Sequence, residues 1–201
     1  TLSEIENTGT IVVSRTFTDL SQAVTGKDVA MDLSANTGGV HIIQALASPT
    51  STAPQISGAV LLGSGSDRVE ILSGTLNGDL SLGAGANTLN IDGGASVSGA
   101  LTAQGGTLGL SVGAGTLRIN SPSQLSLTSL SLGAGSSTIF TVDPTTNSAT
   151  KFDVAGAANV ASGAKIGLRL NNILQTSATY TLVHATTLNA GIIDSSLLGS
   201  V

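Results

Sequence analysis

Apolar residues alternate with polar ones along most of the chain. Val29, Met31 and Leu33 form one run of period two, followed by Val40 and Ile42, Leu80 and Leu82, and Leu89 and Ile91. Leu108, Leu110 and Val112 continue it, then Leu117 and Ile119, Leu125 and Leu127, Leu130 and Leu132, and Val142. Side chains that point alternately to two faces mark β-strands. No stretch carries the i, i+3, i+4, i+7 stripe of an amphipathic helix. The segment from Phe17 to Val24 is the single place where a short helix is expected, with a cap or loop as the alternative. Gly-rich punctuation at short intervals divides the rest into many short strands. The pattern predicts an all-β chain.

The strands repeat. Val60-Leu-Leu-Gly-Ser-Gly-Ser-Asp-Arg-Val-Glu-Ile71 aligns without gaps with Leu80-Ser-Leu-Gly-Ala-Gly-Ala-Asn-Thr-Leu-Asn-Ile91, 20 residues later. Leu130-Ser-Leu-Gly-Ala-Gly-Ser-Ser-Thr-Ile-Phe-Thr141 has the same opening, and Leu110-Ser-Val-Gly-Ala-Gly-Thr-Leu-Arg-Ile119 is a version two residues shorter in the turn. One strand–turn–strand unit cannot bury its apolar face alone, whereas stacked copies build a continuous core. A period near 20 predicts a right-handed parallel β-helix of about three short strands per coil. The segment Ala47-Ser-Pro-Thr-Ser-Thr-Ala-Pro54 breaks the rhythm and is expected to leave the coil as a loop. The organisation expected is coils over 1–129, with that loop near 47–54, and a C-terminal cap of the same solenoid over 130–201.

Composition agrees with such a stack. The 201 residues suit one domain. Gly makes about 13% of the chain, nearly twice its usual share of roughly 7%, and Ser with Thr about a quarter. Charged residues are 9% and aromatics 2%, yet hydrophobic residues reach 40%, which separates the chain from disordered sequences. Coils stacked about 4.8 Å apart place each inward residue on its counterpart, so Leu, Ile and Val fit where large rings would jam. Zero Cys excludes disulfide scaffolds, Cys-ligated metals and thiol nucleophiles. A net charge of −5, with no basic stripe or stacking aromatics, argues against nucleic-acid binding. No apolar run reaches the ~18 residues of a spanning helix. Thr1 is not an initiator Met and no leader follows it, so a processed chain or excised fragment is expected.

Chemistry-bearing motifs are few. Gly109-Leu-Ser-Val-Gly113 matches the Gly-x-Ser-x-Gly elbow, but Leu108, Leu110 and Val112 alternate straight through it, which makes Ser111 an outward strand residue. Gly63-Ser-Gly-Ser-Asp-Arg-Val69 partly matches a calcium-binding nonapeptide. Its Asp67 becomes Asn87 and then Ser137 in the aligned repeats, so the expectation is a turn residue and no cation. His41 lies between inward Val40 and Ile42 and is expected to face solvent. His184 is expected to be a packed or edge residue beside Tyr180 and Leu182. Neither has metal-ligand spacing. Gly83-Ala-Gly-Ala-Asn-Thr88 lacks the third glycine and following helix of a phosphate loop. No catalytic, cofactor-binding or metal residue is assigned.

From Leu130 onward four phrases occur in order: Ser136-Ser-Thr-Ile-Phe-Thr-Val-Asp143, Lys151-Phe-Asp-Val-Ala-Gly-Ala-Ala158, Ala161-Ser-Gly-Ala-Lys-Ile-Gly-Leu168 and Ala178-Thr-Tyr-Thr-Leu-Val-His-Ala185. This succession resembles the C-terminal, autochaperone end of the passenger domain of autotransporters (type V secretion). Upstream, the Gly-Ser-Gly-Ser-Asp-Arg-Val-Glu-Ile stretch is similar to β-helical passenger coils. The resemblance spans roughly Gln55 to Gly191. It implies a Gram-negative cell-surface or secreted setting, associated with the outer membrane. The partner would be the chain's own C-terminal translocator barrel, whose linker helix and strands do not follow Val201. The implied role is a non-enzymatic stalk whose C-terminal segment nucleates folding during secretion. An adhesin that binds host or abiotic surfaces, or neighbouring copies, through its solenoid faces is the alternative. A β-helical polysaccharide-active enzyme is the weaker one, since clustered carboxylates and sugar-stacking aromatics are missing.

Overall fold

The alternating pattern resolves into strands alone: among the described residues there are 22 strands and no helix. The structure, a computed structural model, describes residues 2–13, 28–173 and 177–198. The segment from Phe17 to Val24, where a helix was the alternative to a loop, lies outside them.

Three sheets take successive strands in turn. In the first, β1 (Glu4–Asn7), β4 (His41–Gln44), β7 (Arg68–Ile71), β10 (Gly85–Ile91), β13 (Gly106–Val112), β16 (Ser129–Leu132), β19 (Lys151–Val160) and β21 (Val183–Ala190) pair in that order, all parallel. The second holds β2 (Thr10–Val12), β5 (Gln55–Ser57), β8 (Thr75–Asn77), β11 (Ser96–Gly99), β14 (Thr116–Ile119), β17 (Ser137–Asp143), β20 (Lys165–Leu170) and β22 (Asp194–Leu198). The third is shorter, with β3 (Val29–Asp32), β6 (Ala59–Leu61), β9 (Leu80–Ser81) and β12 (Leu101–Thr102). Parallel neighbours cannot be joined by a hairpin, so the chain crosses the other sheets before returning to each one. That arrangement is compatible with a β-helix.

Register turns the alternation into columns. Ile5, Ile42, Val69, Leu89, Leu110, Leu130, Ala158 and Leu188 stack in the first sheet. Ile11, Ile56, Leu76, Val97, Leu117, Thr138 and Ile166 stack in the second. Between the sheets lies one core; from Val40 onward every residue of the alternating pattern named above is buried, and all but Val142 belong to that core. Val29 departs from the pattern: at the start of the stack it is exposed, with Met31 and Leu33 only half-buried, and among the described residues β3 pairs with β6 alone. Residues 45–54 connect β4 and β5 without a strand, so the loop expected over 47–54 lies within them, with a Ser48–Ser51 turn.

The 20-residue period describes the middle of the stack. Register partners stand 20 or 21 positions apart from Val69 to Leu130 in the first sheet and from Ile56 to Thr138 in the second. Earlier rungs are longer, and later ones reach 28 to 30. One alignment made from sequence does not hold in space. Val60 stacks on Leu80 in the third sheet, and Leu110 stacks on Leu130 in the first. The two phrases beginning Leu-Ser-Leu-Gly-Ala-Gly therefore occupy different sheets, since any inward–outward–inward strand followed by a tight corner fits either place.

The later rungs also differ in build. β15 (Gln124–Leu127) pairs with the first half of β19, while β16 pairs with the second half, and β19 pairs with β21 through an irregularity between Val154 and Ala157. β18 (Ser148–Ala149) folds back antiparallel on β17, which is buried on both faces from Thr138 to Val142. The rings of Phe140 and Phe152, both fully buried, meet here at 4.8 Å between centroids and a tilt of 52°.

Candidate functional site

Asp67 is an interior group. Its register neighbours place it at the corner before β7, pointing inward, and it is 2% exposed. Oδ1 accepts a hydrogen bond from the Val40 backbone N–H at 2.9 Å, one rung down. Asn87, on the next rung, does the same for the Asp67 N–H, also at 2.9 Å, and its Nδ2 donates to the carbonyls of Ala84 and Gly85. The two side chains thus tie three rungs together at a place where the backbone ladder is interrupted. Ser137 is not the third member of this series: it lies in the second sheet, on Thr116 and Lys165. Asp67 Oδ2 has no hydrogen-bond partner, and burial pushes the carboxyl above its ordinary range, opposed by the Val40 N–H. A carboxyl in this setting favours the neutral acid.

On the outward face of the first sheet, His41 and Glu70 meet across one rung at 2.7 Å. Arg68, two residues away on the same strand, holds Glu70 from the side, with Nε on Oε2 at 3.0 Å and Nη2 on Oε1 at 2.9 Å. The Arg68 hydrogen bonds lower the Glu70 carboxyl to about 2; burial opposes them, and the His41 hydrogen bond adds a lesser lowering effect. His41 is outward as its alternation demands, but it is hydrogen-bonded to Glu70 and half-buried. The pair was invisible one residue at a time, because its partners are 27 and 29 positions away in sequence.

Beside this pair lies a shallow groove of about 430 Å³, lined by Arg68, Glu70, Thr88, Asn90, Ser111, Ser129 and Ser131, with Gly109 at its centre. Ser111 is an outward residue in the middle of β13, with neighbours Asn90 and Ser131 in register. No strand-to-helix turn lifts it, and no histidine reaches it, so the elbow reading has no geometric support. The Gly83–Thr88 segment is a corner leading into β10, not into a helix.

His184 lies on β21 with Nδ1 at 2.7 Å from Asp153 Oδ1, while Lys151 Nζ stands 3.6 Å from Asp153 Oδ2 and Gln124 Nε2 donates to Oδ2 at 3.3 Å. The His184 hydrogen bond, and after it Lys151, lower the Asp153 carboxyl against the opposing effect of burial. The histidine is an exposed edge residue, and Tyr180 and Leu182 precede its strand instead of sharing a face with it. Among the described residues no group of three or more His, Asp and Glu is arranged to hold a metal ion. Among the described residues no helix is long and apolar enough to cross a membrane. No family model, curated protein or solved structure matches the chain.

Proposed function

We propose that the chain is a right-handed parallel β-helix that serves as the surface-exposed, non-enzymatic stalk of an autotransporter passenger. In this reading residues 130–201 form the cap that nucleates folding as the passenger crosses the outer membrane of a Gram-negative bacterium through its own barrel. One observation carries the reading. Where the rungs lengthen from about 20 residues to 28–30, the core gains the Phe140–Phe152 contact, and β17 is buried on both faces. An aromatic buries about 150–250 Å², so these rungs hold a core that does not depend on strands stacked beneath it. Middle rungs carry no aromatic inward, only Leu, Ile, Val and Ala with a few buried polar groups such as Asp67 and Asn87, and add to a formed edge, as in a nearest-neighbour array.

Limited proteolysis and secretion test the reading together. Phe152→Asp is expected to make the whole chain protease-sensitive and to stall export, whereas Leu89→Asp is expected to open the middle rungs and leave a resistant C-terminal fragment. Identical digestion patterns for the two variants would remove the distinction between cap and coils. The adhesin alternative draws on the neutral groove around Gly109. Retention of labelled chain on host cells or abiotic surfaces, lost in Gly109→Lys, is the outcome it requires.

A further inference from the structure

Gly109 is a glycine that neither strand pairing nor core packing requires. It sits in the middle of β13, where a glycine weakens a strand. Gly99 and Gly156 also lie within strands, but a Cβ on either would strike a backbone carbonyl of the rung below. A Cβ on Gly109 would meet only side-chain atoms, of Thr88, Thr128 and Ser129, none nearer than 3.3 Å. Its φ is not positive, and β13 pairs without a bulge on both edges. The remaining use of a glycine inside a strand is to let another molecule come close to the backbone.

The gap at Gly109 belongs to the groove described above, which runs up the stack between two outward columns. Thr88, Gly109 and Ser129 form one wall, and Asn90, Ser111 and Ser131 the other, over the backbones of Leu89 and Leu110. Elsewhere neutral outward side chains bond to each other across rungs, Ser98 with Asn120 and Asn159 with Asn189. Around Gly109 they do not: the five polar side chains of the two walls have no hydrogen-bond partner among the described residues. At the lower end Arg68 and Glu70 engage each other. The groove therefore offers hydroxyls and one amide that both donate and accept, no unpaired charge and no aromatic ring.

We infer that this groove binds a neutral, extended glycan chain of pyranose units joined through equatorial bonds, laid along the stack. The inference rests on the adhesin reading of the same groove. Sugar hydroxyls donate and accept at once, as the wall side chains do. A charged chain would find its counter-charge already engaged in the Arg68–Glu70 pair. An equatorially linked chain advances by close to one rung spacing, about 4.8 Å, per sugar, so successive sugars meet successive rows of the two walls. The Gly109–Ser111 row lets one ring sit nearest the backbone, beside the Thr88 methyl. With no aromatic platform each sugar is held weakly, and affinity accumulates with the number of rows occupied.

Amide NMR of the isotope-labelled chain, titrated with cellotetraose, tests this. Saturable shifts are expected at Gly109, Leu110 and Ser111 and on the flanking strands β10 and β16, with a loss of affinity when the ligand is shortened to cellobiose. Maltotetraose, built from the same sugar but coiled by its axial linkages, is expected to leave these amides unmoved. Gly109→Val fills the gap and is expected to abolish the cellotetraose shifts with circular dichroism unchanged. Ser111→Ala removes one outward hydroxyl and no packing, and is expected to weaken binding even where the valine variant fails to fold. No shift at the highest soluble concentration of cellotetraose, shifts confined to other strands, or an equal response to maltotetraose would overturn the inference. Retention on cells or abiotic surfaces without a cellotetraose response would overturn it while leaving the adhesin reading in place; absence of both would remove the two together.

Discussion

Replacing Asp67 with Asn should stabilise the protein, and the gain should depend on pH. Asp67 is 2% exposed, and one of its carboxylate oxygens has no partner. Leaving a buried polar group unsatisfied costs about 1–3 kcal/mol, and more when it is charged. The amide keeps the acceptor that Val40 N–H needs and carries no charge. Asn87 shows the same side chain at work one rung away, donating to the carbonyls two and three residues before it. The corresponding carbonyls for position 67 are those of Ser64 and Gly65. The sign follows from the raised carboxyl. The folded state holds its proton more tightly than the unfolded state, whose carboxyl titrates near 3.9. Wild-type stability therefore falls as pH rises above about 3.9 and levels off once the folded carboxyl has titrated. Below that window both side chains are neutral. For a chain of this size 1 kcal/mol moves Tm by roughly 2–4 °C. Thermal melts of both proteins from pH 3 to 8 should show Asp67→Asn above wild type by at least that amount at pH 8, with the gap narrowing towards pH 3. A lower Tm for the variant at neutral pH, or a gap that ignores pH, would refute the argument that burial governs this carboxyl.

Glu70 should behave in the opposite sense. Its carboxyl is lowered to about 2 by Arg68 and His41, so its contribution is present above about pH 4.3 and lost as pH falls towards 2; in the same melts the Tm deficit of Glu70→Gln should shrink on acidification. Gly83 has φ +64°, and an added Cβ would run into the Gly63 carbonyl, whereas Gly109 is extended and its Cβ would meet side-chain atoms alone, the Ser129 hydroxyl at 3.3 Å, the Thr128 hydroxyl at 3.7 Å and the Thr88 methyl at 3.8 Å. Urea melts should show a clear loss for Gly83→Ala, and for Gly109→Ala no loss or a gain of up to about 0.5–1 kcal/mol from the lower cost of ordering alanine. Because Asp67 Oδ1 is occupied by a backbone N–H, EDTA should leave Tm unchanged. A drop reversed by calcium would return Asp67 to the cation reading.

The inward half of the fold was legible in the sequence because period-two alternation and a 20-residue repeat both report on burial. Leu108, Leu110 and Val112 illustrate it: their spacing alone places Ser111 outward and dismisses the serine elbow. What alternation cannot report is the sheet a strand joins, since Leu80-Ser-Leu82 and Leu130-Ser-Leu132 read alike and differ only in which corner precedes them. The buried polar residues escaped for a related reason. Gln44 and Asn7 occupy inward positions at the start of a column that is otherwise Ile, Val, Leu and Ala, and they are satisfied there by each other and by the Ser73 carbonyl. Their partners come from other rungs, so no local pattern announces them. Asp67 was read as a turn residue, and its tie to Val40 required the register of three strands.

Register also explains why so few charges decorate the surface. Outward residues stack as closely as inward ones, about 4.8 Å from rung to rung, and like charges directly opposite one another destabilise a sheet. A long parallel stack must therefore fill its outward columns with neutral groups or alternate their signs. The column Glu6, Ile43, Glu70, Asn90, Ser111, Ser131, Asn159 and Asn189 does the first: it never sets one charge on another, and its second half is hydroxyls and amides. Outward carboxylates find hydrogen-bonding partners on adjacent rungs. His41 meets Glu70 near the beginning of the stack, and Asp153 meets His184 at its end. A charged content of 9% is thus a consequence of in-register stacking, because each outward charge restricts the residues one rung above and below it.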